Sequence, residues 1–463
     1  MDIVALCRCF QPHVTATTLR QVSRIAWAML VMTGRVTMLG ISRWTGKGGS
    51  YRTVQRFFAQ GLPWAMLFWV FFRQHLYRPG AVYLLVGDEV VVTKAGKHTP
   101  GLDRFFASLY GKPVPGLAFF ALSLVSIQER RSFPIRVEQV VRSAAEKAAS
   151  KAQADAKKQQ PSTDKRRPGR PKGSKNKNQA KVTLTPELLR ITAMLTALLK
   201  LIAGYIPLTY FVLDGHFGNH NALQMARQGN LHLISKLRYD AALYFPYTGP
   251  YAGHGPQRKY GHKLAYDTLP EKYLKETSIE GHIKTCIYQM QLLHKEFAQP
   301  LNVVLVAKTN LHTQARAHVL LFSSDLELAY APLVDYYGLR FQIEFNFRDA
   351  KQYWGLEDFM HVTPTGVTNA ANLSLFMVNV AYRLQMDGRQ YEPDYSVLDL
   401  KADCRGAKYV EETIKIDLFL NTTERSSKAQ HRCQRHHPQN QLCECGRPAP
   451  KWWSVACRQG HAQ

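Results

Sequence analysis

Three acidic residues, Asp88, Asp214 and Glu344, are suited by type and surroundings to metal-ion chemistry. Asp88 follows the apolar run 82–86, and Asp214 ends the apolar run 208–213. Strands predicted over both runs would bring the two carboxylates to one edge of a sheet. Carboxylate oxygens are ligands that Mg²⁺ prefers, although a lone acid at such a position more often caps a helix or forms a turn. Two of them in a strongly basic chain suggest a divalent-metal site.

Glu344 lies in the segment 337–354, whose periodicity fits two structures. Residues 339–347 alternate apolar and polar, which is typical of a strand. Drawn as a helix, the same segment places its large apolar side chains on one face. The helix also gathers Tyr337, Arg340, Glu344 and Lys351 into a narrow band. Periodicity alone leaves both alternatives open.

The spacing of those four residues is itself a motif. Tyr337, two residues, Arg340, three residues, Glu344, six residues and Lys351 resembles the signature of a large group of bacterial insertion-sequence DDE transposases. Residues 87–97 resemble the first-Asp region of that family and residues 213–218 the second, and the similarity covers residues 80–360. The residue after Asp88 is Glu89, where the family more often has Asp. Asp88 and Glu89 are therefore alternatives for the first ligand, with Asp88 favoured.

The resemblance implies an α/β fold, an RNase H-like mixed sheet flanked by helices. It implies that Asp88, Asp214 and Glu344 are catalytic and bind two Mg²⁺ ions, for which Mn²⁺ can substitute. The implied activity is cleavage of DNA strands at insertion-sequence ends and transfer of those ends into target DNA. The implied partners are double-stranded DNA and a second copy of the chain, because pairing two ends generally requires at least a dimer.

Basic residues around Glu344 are expected to contact DNA. Arg340 and Lys351 are suited to holding phosphates, Arg by two parallel hydrogen bonds and Lys as a point charge. Arg348 is a further candidate, and Tyr337 is expected to contact a phosphate or a displaced base. The alternative for Arg340 and Lys351 is an ion-pair network within the helix.

The charge of the chain indicates a polyanionic partner. The sequence has 463 residues and a net charge of +26, which favours nucleic acid. Residues 1–78 hold ten Lys or Arg and one acidic residue. Residues 142–181 hold thirteen Lys or Arg and three acidic residues, and residues 422–463 hold seven Lys or Arg and two acidic residues. The remainder is nearly neutral. We therefore predict a neutral catalytic core with three basic attachments.

The 142–181 segment lacks an apolar cluster, which predicts an exposed and disordered stretch. Its centre carries Arg167, Arg170 and Lys172 around prolines and glycines, and it resembles an AT-hook that lies in a narrow minor groove. The alternative is a solvated linker that binds any phosphate backbone.

The N-terminal region has helical patterns over 17–32, 36–44, 50–60 and 63–76. A glycine-rich turn containing Lys47, a candidate N-cap at Ser50 and a second helix bearing Arg52 and Arg56 fit a helix-turn-helix. The alternative is a structural helical bundle.

These patterns divide the chain into five regions. We predict a helical DNA-binding domain over 1–78 and the first part of the core over 79–239, interrupted by 142–181. A β-rich insertion follows over 240–325, then the catalytic helix and the end of the core over 326–421. A basic Cys/His tail occupies 422–463.

Other site and protein classes are less well supported. His98, His216 and His220 match no zinc-ligand spacing, and the tail has Cys443 and Cys445 but no Cys-x-x-Cys pair. Structural zinc and a disordered tail both stay open there. No apolar run is long enough to cross a bilayer, and no secretory leader is recognisable. We expect a cytoplasmic, nucleoid-associated protein. The alternative functions are a non-catalytic DNA-binding protein derived from a transposase and a structure-specific endonuclease.

Overall fold

The computed structural model describes residues 3–434, apart from Lys47, Lys97, 108–109, 160–181, Thr183, Ala252, 254–256 and the side chains of 150–151, 153–154, 156–159 and 417–434. It divides into two compact units, one ending at Cys404 and the other starting at Arg405. The second unit is described only as the continuation of a helix. No helix in the described part is long and apolar enough to span a membrane.

Helices occupy the N-terminal region, as the sequence predicts. They are α1 (Ile3–Cys7), α2 (Ala16–Val31), α3 (Met38–Trp44), α4 (Tyr51–Ala59) and α5 (Trp64–His75). Helix α4 begins at the predicted cap, since the Ser50 hydroxyl accepts a hydrogen bond from the Thr53 amide at 3.4 Å. Its inner face buries Val54, Phe57 and Phe58, which leaves the opposite face to solvent.

The strands form one sheet in the described residues. They are β1 (Tyr83–Thr93), β2 (Asp103–Ala107), β3 (Lys112–Ser126), β4 (Arg131–Val140), β5 (Tyr210–Val212), β6 (His232–Leu237), β7 (Leu243–Pro246), β8 (Tyr260–Lys263), β9 (Leu274–Glu280), β10 (Ile283–His294), β11 (Leu301–Asn310) and β12 (Arg316–Ser323). Strands β4, β3 and β1 pair antiparallel, and β1, β5 and β6 pair parallel. This β4-β3-β1-β5-β6 order is that of an RNase H-like sheet and confirms the predicted fold class.

The β-rich region 240–325 extends this sheet. Strand β12 pairs antiparallel with β6, and the order continues through β11, β10, β7 and β8. The hydrogen-bonded ladder is continuous across the domain boundary that we predicted at residue 240.

The structure differs from the sequence expectations at three places. Strand β1 does not end at residue 86 but continues through Asp88 to Thr93, because Val90 and Val92 maintain an alternating buried face. Strand β2 carries no strong pattern and was not expected. The segment 144–159, predicted to be disordered, forms α6 (Ala144–Gln159), and a Ser143–Glu146 capping box closes its first turn.

The remaining helices lie between and after the strands along the chain. They are α7 (Pro186–Ile202), α8 (His220–Gln228), α9 (Tyr330–Leu339), α10 (Gln342–Tyr353), α11 (Pro364–Gly388) and α12 (Val397–Gln434). Helix α11 is buried along most of its length and contacts β4, α4, α5 and α10. It therefore joins the N-terminal helices to the core.

Candidate active site

Asp88 lies in the middle of β1, at a point where the strand is tightly enclosed. A side chain at Gly87 would approach Phe120 to 2.9 Å and Leu213 to 3.0 Å, so glycine permits the close packing of the sheet there. Asp88 is consequently fixed by the core sheet, with its side chain only 19% exposed. Its Oδ1 atom accepts a hydrogen bond from the Glu89 amide at 2.8 Å.

Asp214 follows the neighbouring strand β5, as the sequence predicts. Its side chain caps a single 3₁₀ turn by accepting a hydrogen bond from the His216 amide at 3.2 Å, and its carbonyl accepts one from the Ser235 hydroxyl at 2.6 Å. A side chain at Gly218 would lie 2.2 Å from the Lys236 carbonyl oxygen. Glycine thus lets the loop after Asp214 press against β6.

The third acid, Glu344, lies in the first turn of α10. Residues 337–351 are helical rather than extended, but they form two helices instead of one. The chain between α9 and α10 is joined by hydrogen bonds of the tighter i to i−3 type, including Arg340 to Tyr337 at 3.2 Å and Glu344 to Phe341 at 3.0 Å. Each residue in such a turn rotates the chain by about 120°. The continuous helix predicted for this segment is therefore interrupted at Arg340 and Phe341.

Arg340 lies at this junction and bridges two of the acids. Its Nη1 atom is 2.7 Å from Asp88 Oδ2, and its Nη2 atom is 3.2 Å from Glu344 Oε1. The guanidinium side chain is only 14% exposed. Charge-assisted bonds of this kind are about twice as strong as neutral ones, so the bridge links the middle of β1 to the first turn of α10.

Asp214 and Glu344 lie close enough to Asp88 to affect its pKa. Burial raises the pKa of Asp88 to about 6, with the Arg340 guanidinium opposing the rise and the Asp214 and Glu344 carboxylates adding to it. Burial also raises the pKa of Tyr337, which lies against Arg340 and is affected by Asp214 and Asp88. The structure therefore brings together Asp88, Asp214, Glu344, Arg340 and Tyr337.

Glu89, the alternative first ligand, belongs to a different group of side chains. Successive residues of a strand point to opposite faces. Burial and then repulsion from Glu187 on α7 raise the pKa of Glu89 to about 7. Glu187 also accepts a hydrogen bond from His216 at 3.2 Å. This bond is the largest cause of the raised pKa of the His216 imidazole. Asp88 is thus linked to Glu344 through Arg340, whereas Glu89 interacts with Glu187.

Lys351 and Arg348 are not part of the acidic cluster. Lys351 donates a hydrogen bond to the Val91 carbonyl at 2.9 Å and pairs with Glu357 at 3.1 Å. Val91 is three residues beyond Asp88, about 10 Å along the strand. Arg348 pairs with Asp349 at 2.9 Å, and its side chain is 60% exposed. Arg340 therefore pairs with Glu344 from the junction between the two helices, whereas Lys351 ties α10 to β1.

Arg52 and Arg56 project from the exposed face of α4. Lys47, Arg167, Arg170 and Lys172 lie outside the described residues. So do the tail cysteines Cys443, Cys445 and Cys457 and the tail from residue 435 onward.

The donor chemistry of the acidic cluster fits a divalent cation. Asp88, Asp214 and Glu344 offer the carboxylate oxygens that Mg²⁺ and Mn²⁺ take. Within the described residues, however, no group of three His, Cys, Asp or Glu side chains is arranged to ligate an ion. Two of the three carboxylates are turned towards Arg340 instead. The same absence applies to a zinc site built from His98, His216 and His220.

Sequence reasoning missed a set of contacts that fix the loop after α10. The Lys94 ammonium donates to the carbonyls of Glu357 and Phe359, both at 2.7 Å. Asp358 accepts from the Val36 amide at 2.9 Å and pairs with Arg35 at 3.1 Å. The loop therefore connects the N-terminal helices to β1 and to the end of α10. No motif predicts these contacts, because their partners are more than 260 residues apart.

Comparison with known families gives one match. A family model described as DDE superfamily endonuclease matches residues 9–289, which include Asp88 and Asp214 and end before Glu344. No curated protein is significantly similar to the chain.

Proposed function

Because the chain belongs to the DDE superfamily of endonucleases, we propose that it is a DNA transposase that cuts at insertion-sequence ends and joins them to target DNA. The observation that carries this proposal is the convergence of Asp88, Asp214 and Glu344, whose carboxylates are close enough to influence the pKa of Asp88. The match to the endonuclease family supports a nucleic-acid substrate.

The three acids would hold the divalent metal on which enzymes of this superfamily generally depend. Two bound Mg²⁺ ions would activate the attacking oxygen and stabilise the leaving oxygen of an in-line displacement. Asp88 and Asp214 are held by neighbouring parallel strands, and Glu344 is carried by α10, so the sheet and the helix orient the donors.

Basic residues near the acids would hold the DNA. Arg340 presents a forked guanidinium that can bind a phosphate through two hydrogen bonds. Arg348 projects from α10 with its charge largely exposed. Tyr337, against Arg340, could stack on a base or bond a phosphate. Lys351 bonds the Val91 carbonyl and pairs with Glu357, so its proposed role is to position α10.

The N-terminal helices would recognise the element end. Helix α4 exposes Arg52 and Arg56 on the face opposite its buried residues, which is the arrangement of a helix that enters a major groove. Residues 167–172 would add minor-groove or backbone contacts. Two copies of the chain would be needed to pair two ends.

The test is cleavage and strand transfer with a duplex that carries an element end. The wild type is compared with Asp88→Ala, Asp214→Ala and Glu344→Ala in Mg²⁺, and with Glu89→Ala as the matched control on the same strand. We expect the first three substitutions to abolish cleavage and Glu89→Ala to retain it. Near wild-type cleavage by any of the three would remove that residue from the site.

Strand transfer separates transposition from simple nuclease activity. A transposase joins the cut 3′ end to a second duplex, which yields a product longer than the starting strand. Cleavage without any such product would support a structure-specific endonuclease instead.

A further inference from the structure

The ion pairs around Arg340 have a consequence for metal binding. Asp88 Oδ2 and Glu344 Oε1 are two of the atoms that a divalent ion would use, and both are bonded to the same guanidinium. Arg340 thus places its positive charge between two of the three acids. An ion and the guanidinium compete for the same lone pairs.

The surroundings of Arg340 indicate that this bridge is not a fully satisfied structural ion pair. The Arg340 Nε atom is buried and has no hydrogen-bond partner among the described residues. A buried donor without a partner is costly and uncommon in native structures. Arg340 also lies on the short 3₁₀ junction between α9 and α10, whereas the acids Asp88 and Glu344 lie inside regular elements. Within the bridge, the guanidinium therefore comes from irregular structure and the two carboxylates come from regular elements.

We propose that Arg340 is an internal competitor that keeps Asp88 and Glu344 closed to a divalent ion until a DNA phosphate takes the guanidinium. This inference rests on the proposed function and adds regulation of the same site. A phosphate oxygen offers Arg the same forked, charge-assisted contact as a carboxylate. DNA that draws Arg340 away frees the two carboxylates, and binding of DNA and ion becomes mutually favourable, as linkage requires.

Such a competitor would restrict metal loading to the DNA complex. The free protein would hold its acids neutralised by its own side chain. Cleavage of unrelated phosphodiesters by a metal-loaded free enzyme would be suppressed. Arg340 would then have two successive partners, carboxylates before DNA binds and phosphate afterwards.

The test measures Mn²⁺ binding to the full chain without DNA, by electron paramagnetic resonance of the free ion. We compare the wild type with Arg340→Gln, with Arg340→Lys and with Arg348→Gln. The last removes the same charge from the same region without contacting Asp88 or Glu344. Breaking two hydrogen bonds to charged groups is expected to tighten Mn²⁺ binding by at least about tenfold in Arg340→Gln.

The two control variants separate local competition from net charge. Arg348→Gln is expected to stay within about twofold of the wild type, since an exposed charge is screened. Arg340→Lys keeps the charge but cannot bridge both acids as a fork. We therefore expect its Mn²⁺ affinity to lie between those of Arg348→Gln and Arg340→Gln. It also supplies the test if Arg340→Gln does not fold. Adding Asp88→Ala to Arg340→Gln is expected to remove the gain.

Equal or weaker Mn²⁺ binding by both Arg340 variants would overturn the proposal. Tighter Mn²⁺ binding that persists when Asp88→Ala is added to Arg340→Gln would also overturn the proposal, because the ion would then bind elsewhere. Either result leaves the proposed function standing if Asp88→Ala and Glu344→Ala, each made singly in the wild-type chain, abolish cleavage. Conversely, unimpaired cleavage by those alanine variants would reject the proposed function whatever Mn²⁺ binding shows.

Discussion

Asn369 on α11 holds the N-terminal helices to the core, and its replacement by alanine should loosen them. Its side chain is 1% exposed. The amide oxygen accepts a hydrogen bond from Trp64 Nε1 at 2.8 Å, and the amide nitrogen donates to the carbonyls of Phe58 at 2.9 Å and Gln60 at 2.8 Å. One side chain thus connects the end of α4 and the start of α5 to α11.

The expected loss follows from the three bonds. Each net hydrogen bond contributes about 1 kcal/mol, and a buried group left without a partner costs about 1–3 kcal/mol. The indole N–H of Trp64 and the Phe58 carbonyl would be left buried, whereas water can reach the partly buried Gln60 carbonyl. We therefore expect Asn369→Ala to lower the free energy of unfolding by about 3 kcal/mol.

Asn372 on the same helix supplies a matched control. It is 2% exposed, and its amide nitrogen bonds the Thr368 carbonyl of its own helix at 2.9 Å. Asn372→Ala removes the same atoms without detaching another element, so we expect a loss of about 1 kcal/mol. Urea unfolding followed by circular dichroism gives both values, and hydrogen exchange over 58–64 reports local opening. Equal losses, or unchanged exchange over 58–64 in Asn369→Ala, would refute the reasoning.

Three further predictions concern pH and DNA. Burial, with the nearby Lys94 charge, lowers the pKa of His361 to about 4. Between pH 6.5 and 4 the unfolded chain therefore binds more protons than the folded one. The free energy of unfolding should fall over this range as the pH falls, by about 3 kcal/mol at most. His361→Gln should flatten that part of a melting-temperature profile, and an unchanged profile would contradict the assignment. Replacing Arg52 and Arg56 by alanine should reduce the slope of log affinity against log salt by about 1.8, since two phosphate contacts are lost. Arg227→Ala on α8 serves as the control. If the Arg52 and Arg56 variant had the slope of the wild type, α4 would be excluded from the DNA interface. Deleting 160–178 should also flatten this slope, and an unchanged slope would show that the segment does not contact DNA.

Local signals in the sequence predict much of the fold. Ser50 starts α4 because a cap depends on a few neighbouring residues, and the apolar runs before Asp88 and Asp214 mark adjacent strands of the sheet. Strand β1 extends further than expected, because Gly87 followed by two acids looks like a turn while the pairing with β3 continues through them. Helix α6 escapes prediction because its composition of Ala, Lys and Gln also suits a disordered segment.

The detailed geometry of the site depends on contacts between distant residues. The motif spacing predicts that Tyr337, Arg340 and Glu344 are neighbours, and they are. It also predicts Lys351 on the face of Glu344, but these two residues of α10 are about 10 Å apart along the helix axis, and Lys351 bonds the β1 backbone at Val91 instead of a carboxylate. The Arg340–Asp88 bridge joins residues 252 positions apart, and no local pattern contains that information.

In the proposed function, Asp88 ligates a divalent metal during DNA cleavage. Asp88→Cys exchanges a carboxylate oxygen for a sulfur ligand that Mg²⁺ binds poorly and Mn²⁺ accepts more readily. The direct measurement is cleavage of an element-end duplex by this variant in Mg²⁺ and in Mn²⁺, beside the wild type. We predict that cleavage is lost in Mg²⁺ and restored in part by Mn²⁺. Wild-type cleavage by Asp88→Cys in Mg²⁺ would contradict the account.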